Sequence, residues 1–273
     1  MAWGVDDFDE AYPLPYTNDL VRLAASVKMA ADAETLTISV KDGCDAILEG
    51  YERSLKAGGC PIVLAERERN LERLGIAAIK PPQDFWEKLV DRPAANGVPR
   101  QARQAIEKTL PDKKLHYKLV RREAGMGSLG QQGFVAIADW EGGCIAREAK
   151  AMLPSSCEWV NGNAGHGQSY YQRAIRFAVR SRDPYQTIVG DWLIRRLSPD
   201  SNPIEIEDLP KEPDEEALLH AMGSEAANVH LGTHGQARKI VKDLRGRKSK
   251  WLRSAAKDMA KTLEREWEEY RKS

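Results

Sequence analysis

The sequence predicts an α+β fold in which a small antiparallel sheet lies between two mainly helical parts. Three observations predict it. Residues 18–31 place apolar side chains at helical spacing, and 42–57 read as a second helix ending at Gly58-Gly59. Residues 114–151 switch to alternation and break at Gly142-Gly143, as two paired strands do. From Asp214 onward the helical pattern returns. The parts run over 1–112, 113–207 and 208–273, and the last set of helices is expected to pack with the first.

In the first part, Asn18 reads as a helix N-cap, Asp19 opens the first turn, and Leu20, Leu23, Ala24 and Val27 form one apolar face. Pro13 and Pro15 hold the preceding connection extended. The helix over 42–57 stops at Gly58-Gly59. The charged run at 61–75 reads as helical, Asp84–Leu89 as a short helix, and 91–99 as a loop. In the middle part, "KLHYKLVRREAG" is a strand and "GFVAIADWEGGCIAREAKAM" a hairpin. Residues 161–168 form a loop, 169–181 a helix and 191–197 a strand. The acidic, proline-containing stretch 198–214 reads as a hinge with a short strand at Ile204–Ile206.

The chain has 273 residues, with 41 basic and 41 acidic side chains. Zero net charge favours neither a nucleic-acid nor a membrane partner. No signal-like head and no run of about 18 apolar residues is present. Cys44, Cys60, Cys144 and Cys157 form no CxxC pair. The expectation is reduced thiols in a cytoplasmic protein.

Two stretches carry chemistry. "VDDFDEA" packs Asp6, Asp7, Asp9 and Glu10 into five positions. On an extended segment Asp7 and Asp9 face the same way, about 7 Å apart, and repel unless a cation intervenes. Mg²⁺ takes one or two carboxylates plus phosphate oxygens, so the pair is a candidate metal site. The competing reading is a solvated acidic turn feeding a helix N-terminus. "GMGSLG" places Gly125, Gly127, Ser128 and Gly130 ahead of a strand-like run. A dinucleotide loop opens a helix, whereas a glycine-rich turn between antiparallel strands is the kinase arrangement, covering nucleotide phosphates. Arg147 and Lys150 follow Gly130 by 17 and 20 residues and are both candidates for the phosphate-binding cation. Arg147 and Ala149 share one strand face, Glu148 and Lys150 the other. A flexible hairpin with solvated charges is the alternative.

"WGVDDFDEAYPLPYTNDLVRLAAS", "GMGSLGQQGFVAIADW" and "IAREAKAMLPSS" resemble, in order, the blocks of the bacterial family called domain of unknown function 2252. "DWLIRRL" and "ANVHLGTHGQA" extend the resemblance to about residue 237. That family is similar to kinase-like and aminoglycoside-phosphotransferase-like proteins. The resemblance implies an ATP- and Mg²⁺-dependent phosphotransferase with elements in circularly permuted order. It implies Asp7 as metal ligand and catalytic group with Asp9 beside it, and Asp19 as the aspartate that braces the catalytic loop. It also implies the strand at 191–197 near the adenine edge. Asp6 stands where the family has Asn, and Arg147-Glu148-Ala149 where many members have "KEA". Members carry a "GDxHxxNFG" segment before the acidic block, and none precedes it here. A truncated member, weakly active or inactive as it stands, is therefore the expectation. A non-catalytic nucleotide-binding or regulatory remnant is the alternative. The acceptor substrate and the oligomeric state are not legible.

The remaining signals are blander. His230 and His234, four apart on an expected helix, lack the Glu of HExxH and read as packing or site support. His166 reads as solvated. Residues 238–253 hold eight basic side chains against Asp243. A solvated helix face is favoured there over nucleic-acid binding. Trp3, Trp86, Trp140, Trp159, Trp192, Trp251 and Trp267 read as core or interface anchors rather than a stacking platform.

Overall fold

A computed structural model describes residues 2–67, 72, 81–122, 131–162, 167–200 and 214–272. It is α+β. The helical part is built on α1 (Thr17–Asp32) and α2 (Val40–Ala57) from the first third of the chain. Completing it are α8 (Asp214–His230), α9 (Ala237–Gly246) and α10 (Trp251–Tyr270). One core joins them, with Leu20, Ile47, Tyr51, Leu219, Leu252 and Ala256 at its centre.

Local chemistry explains the ends of α2. The Ser39 hydroxyl accepts from the Asp42 N–H at 3.1 Å, and Gly58 takes φ 82° just past the last turn. Glu215 of α8 accepts from the Thr37 and Ile38 N–H groups at 3.0 and 2.7 Å, which fixes the entry to α2. The start of α1 differs from expectation. It begins at Thr17, behind Tyr16 and without a side-chain cap, because Asn18 N–H already bonds to the Pro15 carbonyl at 2.9 Å.

The expected helix over 61–75 is also corrected in part. Ile62–Val63 is a strand, β2, pairing antiparallel with β1 (Ala2–Trp3). Only α3 (Leu64–Arg67) then turns helical before the described residues break off. The β-branched Ile-Val pair outweighs the helical charge pattern once the N-terminal strand lies beside it. Among the described residues no helix is long and apolar enough to cross a membrane.

The sheet contains β3 (Lys118–Arg121), β4 (Gly133–Trp140), β5 (Gly143–Ala151), β6 (Thr187–Val189) and β7 (Trp192–Leu197). They lie in the order β3-β4-β5-β7-β6, each pair antiparallel. Both faces are covered. On one, α5 (Arg100–Glu107) sets Ala102, Ala105 and Ile106 against Phe134, Ala136, Ala149 and Ile194. On the other, Phe85, Trp86 and Leu89 of α4 (Pro82–Val90) cover Val120, Val135, Ile137 and Leu197. The far end of that second face is closed by Phe8, Met152, Leu193 and Tyr171, the last from α7 (Gly167–Phe177). A polar belt of Glu148, Lys150 and Arg195 lies between these apolar patches.

Candidate functional site

The belt follows from strand register. Glu148 and Lys150 project to one side of β5, and Arg195 of β7 is the cross-strand partner of Glu148. Gly133 of β4 lies opposite Lys150, and a side chain there would overlap the Arg122 carbonyl. The acidic segment crosses the belt. Phe8 anchors it, 7% exposed and edge-on to Tyr171 at 5.8 Å, so the carboxylates on either side are held at the sheet.

Lys150 Nζ donates to Asp9 Oδ2 and, at 3.4 Å, to Asp7 Oδ2. The Asp9 N–H in turn donates to Asp7 Oδ1 at 3.0 Å. Two carboxylates thus share one ammonium, and they divide unequally. Burial opposes the Asp7 carboxylate, but the Asp9 N–H and Lys150 outweigh it and hold its carboxyl below the ordinary value. For Asp9, burial and the Asp7 charge prevail over Lys150, and the carboxyl is pushed up. Burial works against the Lys150 ammonium too, yet its two acidic partners raise it.

Glu148, 3% exposed, accepts from Arg122 and Arg195 at 2.5 Å each, and Arg195 also donates to Asp6 at 3.1 Å. Burial opposes the Glu148 charge, but the two guanidiniums hold its carboxyl low. Burial likewise opposes the Arg195 charge, and Glu148 then raises it. A small cavity of about 10 Å³, room for a single water, lies among Arg122, Gln131, Gly133, Glu148, Lys150 and Arg195. Beside it opens a larger cleft of about 270 Å³ lined by Asp9, Glu10, Gln131, Leu153, Ser156 and Trp159. Glu10 fixes its wall by accepting from the Ser156 N–H and hydroxyl at 2.8 and 2.7 Å. These bonds hold the start of α6 (Ser156–Val160), whose Trp159 is 82% exposed at the rim.

Of the residues singled out in the sequence, Asp7, Asp9 and Lys150 therefore come together. Arg147 lies on the opposite face, its guanidinium 4.3 Å from the Tyr185 ring centroid. Asp19 lies in the helical part, its carboxylate 2.9 Å from His230 Nε2. His230 Nδ1 meets the buried Tyr51 hydroxyl at 2.7 Å. Helix α8 ends at His230, so His234 does not share its helix and instead meets Phe177 edge-on. Gly125, Gly127, Ser128 and Gly130 lie outside the described residues, as do His166 and the Ile204–Ile206 strand. Among the described residues no group of three or more His, Cys, Asp or Glu side chains is placed to hold a metal.

Arg122, Arg195, Glu148, Gln131 and Trp159 complete the site but were not singled out as its members. A signal for Arg195 exists in "DWLIRRL", where alternation sets it two residues from Leu193 on the same face. Its partnership with Glu148 depends on strand register, which a single strand does not reveal.

No curated protein and no solved structure matches the chain. Residues 1–74, which carry the acidic segment together with α1 and α2, match a family described as an uncharacterized protein conserved in bacteria (DUF2252), and it is to this family that the first part of the chain is similar.

Proposed function

We propose that the chain binds a magnesium nucleoside triphosphate at the Lys150–Asp7–Asp9 cluster and is a kinase-like phosphotransferase with its elements in permuted order. The observation that carries this reading is the contact of Lys150 with two aspartates 143 and 141 residues away in the chain. A lysine on the third strand of an antiparallel sheet, close to a metal-binding aspartate, is what kinases use to hold a triphosphate. Lys150 occupies that strand, and Asp7 and Asp9 supply the acids. Arg122 and Gln131, the residues flanking the segment that contains "GMGSLG", line the same small cavity.

The residues fit the metal. Asp9 Oδ1 is buried without a hydrogen-bond partner, so one hard oxygen is already desolvated and uncommitted. Mg²⁺ needs only one or two protein carboxylates when phosphate oxygens complete its shell, and Asp7 and Asp9 would provide them. When bound, the ion would neutralise phosphate charge. Lys150 would divide its three N–H donors between these carboxylates and the phosphate oxygens. Arg122 and Arg195 stay committed to Glu148 and keep the floor of the site rigid. The larger cleft would receive the bulk of the ligand.

Thermal unfolding of the full chain with ATP, with Mg-ATP and with ATP plus EDTA tests this reading. The expected result is stabilisation by Mg-ATP alone, about 2.7 kcal/mol at a hundredfold excess over the dissociation constant, and its loss in Asp7→Asn. ADP and inorganic phosphate released in the Mg-ATP sample report phosphoryl transfer to water, the acceptor present there. An equal response to ATP with and without magnesium, or none to either, would overturn it.

A further inference from the structure

Arg147 and Arg196 are direct cross-strand partners on β5 and β7, on the sheet face away from Lys150. Like charges placed opposite each other across strands destabilise a sheet, so the pair needs a physical reason. Both guanidiniums lie against one ring, Tyr185, at 4.3 and 5.1 Å from its centroid. Arg147 is 5% exposed, whereas Arg196 and Tyr185 are open to solvent. Among the described residues Arg147 donates only to main-chain carbonyls, Ala146 at 3.0 Å and Thr109 at 3.4 Å.

No carboxylate among the described residues lies within ion-pair distance of either arginine. Asp183 acts on Arg147 through space, but its Oδ1 accepts from the Tyr185 N–H at 2.8 Å. Burial draws the Arg147 guanidinium below its ordinary value, so the charge is held there at a cost. Carbonyl oxygens accept hydrogen bonds and one aromatic ring attracts the cations, but neither carries the charge that would neutralise two guanidiniums. Two planar donor forks beside a tyrosine are suited to an oxyanion with several acceptor oxygens and more than one negative charge.

We infer that Arg147, Arg196 and Tyr185 form a second ligand site, specific for a phosphate-type oxyanion and separate from the Lys150 cluster. Arg196 meets the ligand from the open side and Arg147 supplies the buried charge. The Tyr185 ring lies against both guanidiniums.

The test titrates the ¹⁵N-labelled full chain with inorganic phosphate, sulfate, acetate and chloride at constant ionic strength, with EDTA present so that no magnesium complex forms. The readout is the Arg147 Nε–Hε signal, identified by its loss in Arg147→Lys. The expected result is a saturable shift with phosphate and sulfate. Arg196→Gln, a change at an exposed position that leaves the core intact, should weaken it about tenfold. Asp7→Asn should leave it unchanged, which separates this site from the magnesium-dependent one. A shift that grows without saturating, that acetate or chloride reproduces, or that Arg196→Gln leaves at full affinity would overturn the inference.

Discussion

Glu148 joins two strands and the N-terminal segment through charge. Its two oxygens take one guanidinium each, and Arg195 hands the second of these on to Asp6. Removing one member of such a buried set leaves the others uncompensated, which typically costs about 3–5 kcal/mol. Glu148→Gln is therefore expected to lower unfolding stability by that order in urea titrations. The pH dependence has a definite sign. The folded-state carboxyl lies below its ordinary value of about 4.3, while the unfolded chain keeps that value. Its contribution is complete above the unfolded value and is lost as pH falls through the folded one. Wild-type stability should fall on acidification below about pH 5, and Glu148→Gln should flatten that part of the slope. A variant with the same acid limb as wild type would show that Glu148 is not ionised in the folded state.

Helices α2 and α8 cross at two glycines, and this contact tests the helical part as packing rather than propensity. A methyl group on Gly223 would overlap the Ile47 carbonyl, and one on Gly50 would overlap the His220 carbonyl. Alanine favours a helix by about 1 kcal/mol over glycine, whereas overpacking a close crossing costs about 1–3 kcal/mol or more. Gly223→Ala is thus expected to lower the unfolding midpoint. Gly246→Ala, at the end of α9 with open space around it, should raise it slightly. The same physics explains what was legible. The helix over 42–57 has an apolar stripe and a left-handed glycine, and the hairpin over 133–151 has alternation and a glycine turn; both are local signals. Helix α5 goes unassigned in the sequence because its buried face is Ala102, Ala105 and Ile106, two of them too small to mark a stripe. Two-residue β1 and β2 exist only because they pair with each other. The face carrying Lys150 was legible from alternation, but the choice between Lys150 and Arg147 as neighbour of the acids needed the path of the N-terminal segment.

That path also links the two halves of the molecule. The N-terminal strand pairs with β2 beside the helical core, and two residues further on the Val5 N–H donates to Glu225 of α8 at 3.2 Å. Gly4 lies so close to the Glu225 carboxylate that a side chain there would overlap it. Asn228 of α8 steadies Glu225 with a 2.8 Å bond and holds Cys60 through its N–H and carbonyl. Asp7 is therefore positioned from both sides: by α8 through Val5, and by the sheet through Lys150 and Phe8. If the site works as proposed, an anchor that touches no ligand must still set ligand affinity, because a shift of the segment moves both carboxylates together. Glu225→Ala removes the acceptor of the Val5 N–H and frees the start of the segment. One such hydrogen bond is worth about 0.5–1.5 kcal/mol, so Mg-ATP binding should weaken about twofold to tenfold by calorimetric titration. Ser39→Ala, which removes the α2 cap far along the chain from the segment, should lower stability by about 1 kcal/mol and leave affinity unchanged. Equal loss of affinity in both variants would mean that binding merely follows global stability, and the two-sided positioning of Asp7 would then play no part in it.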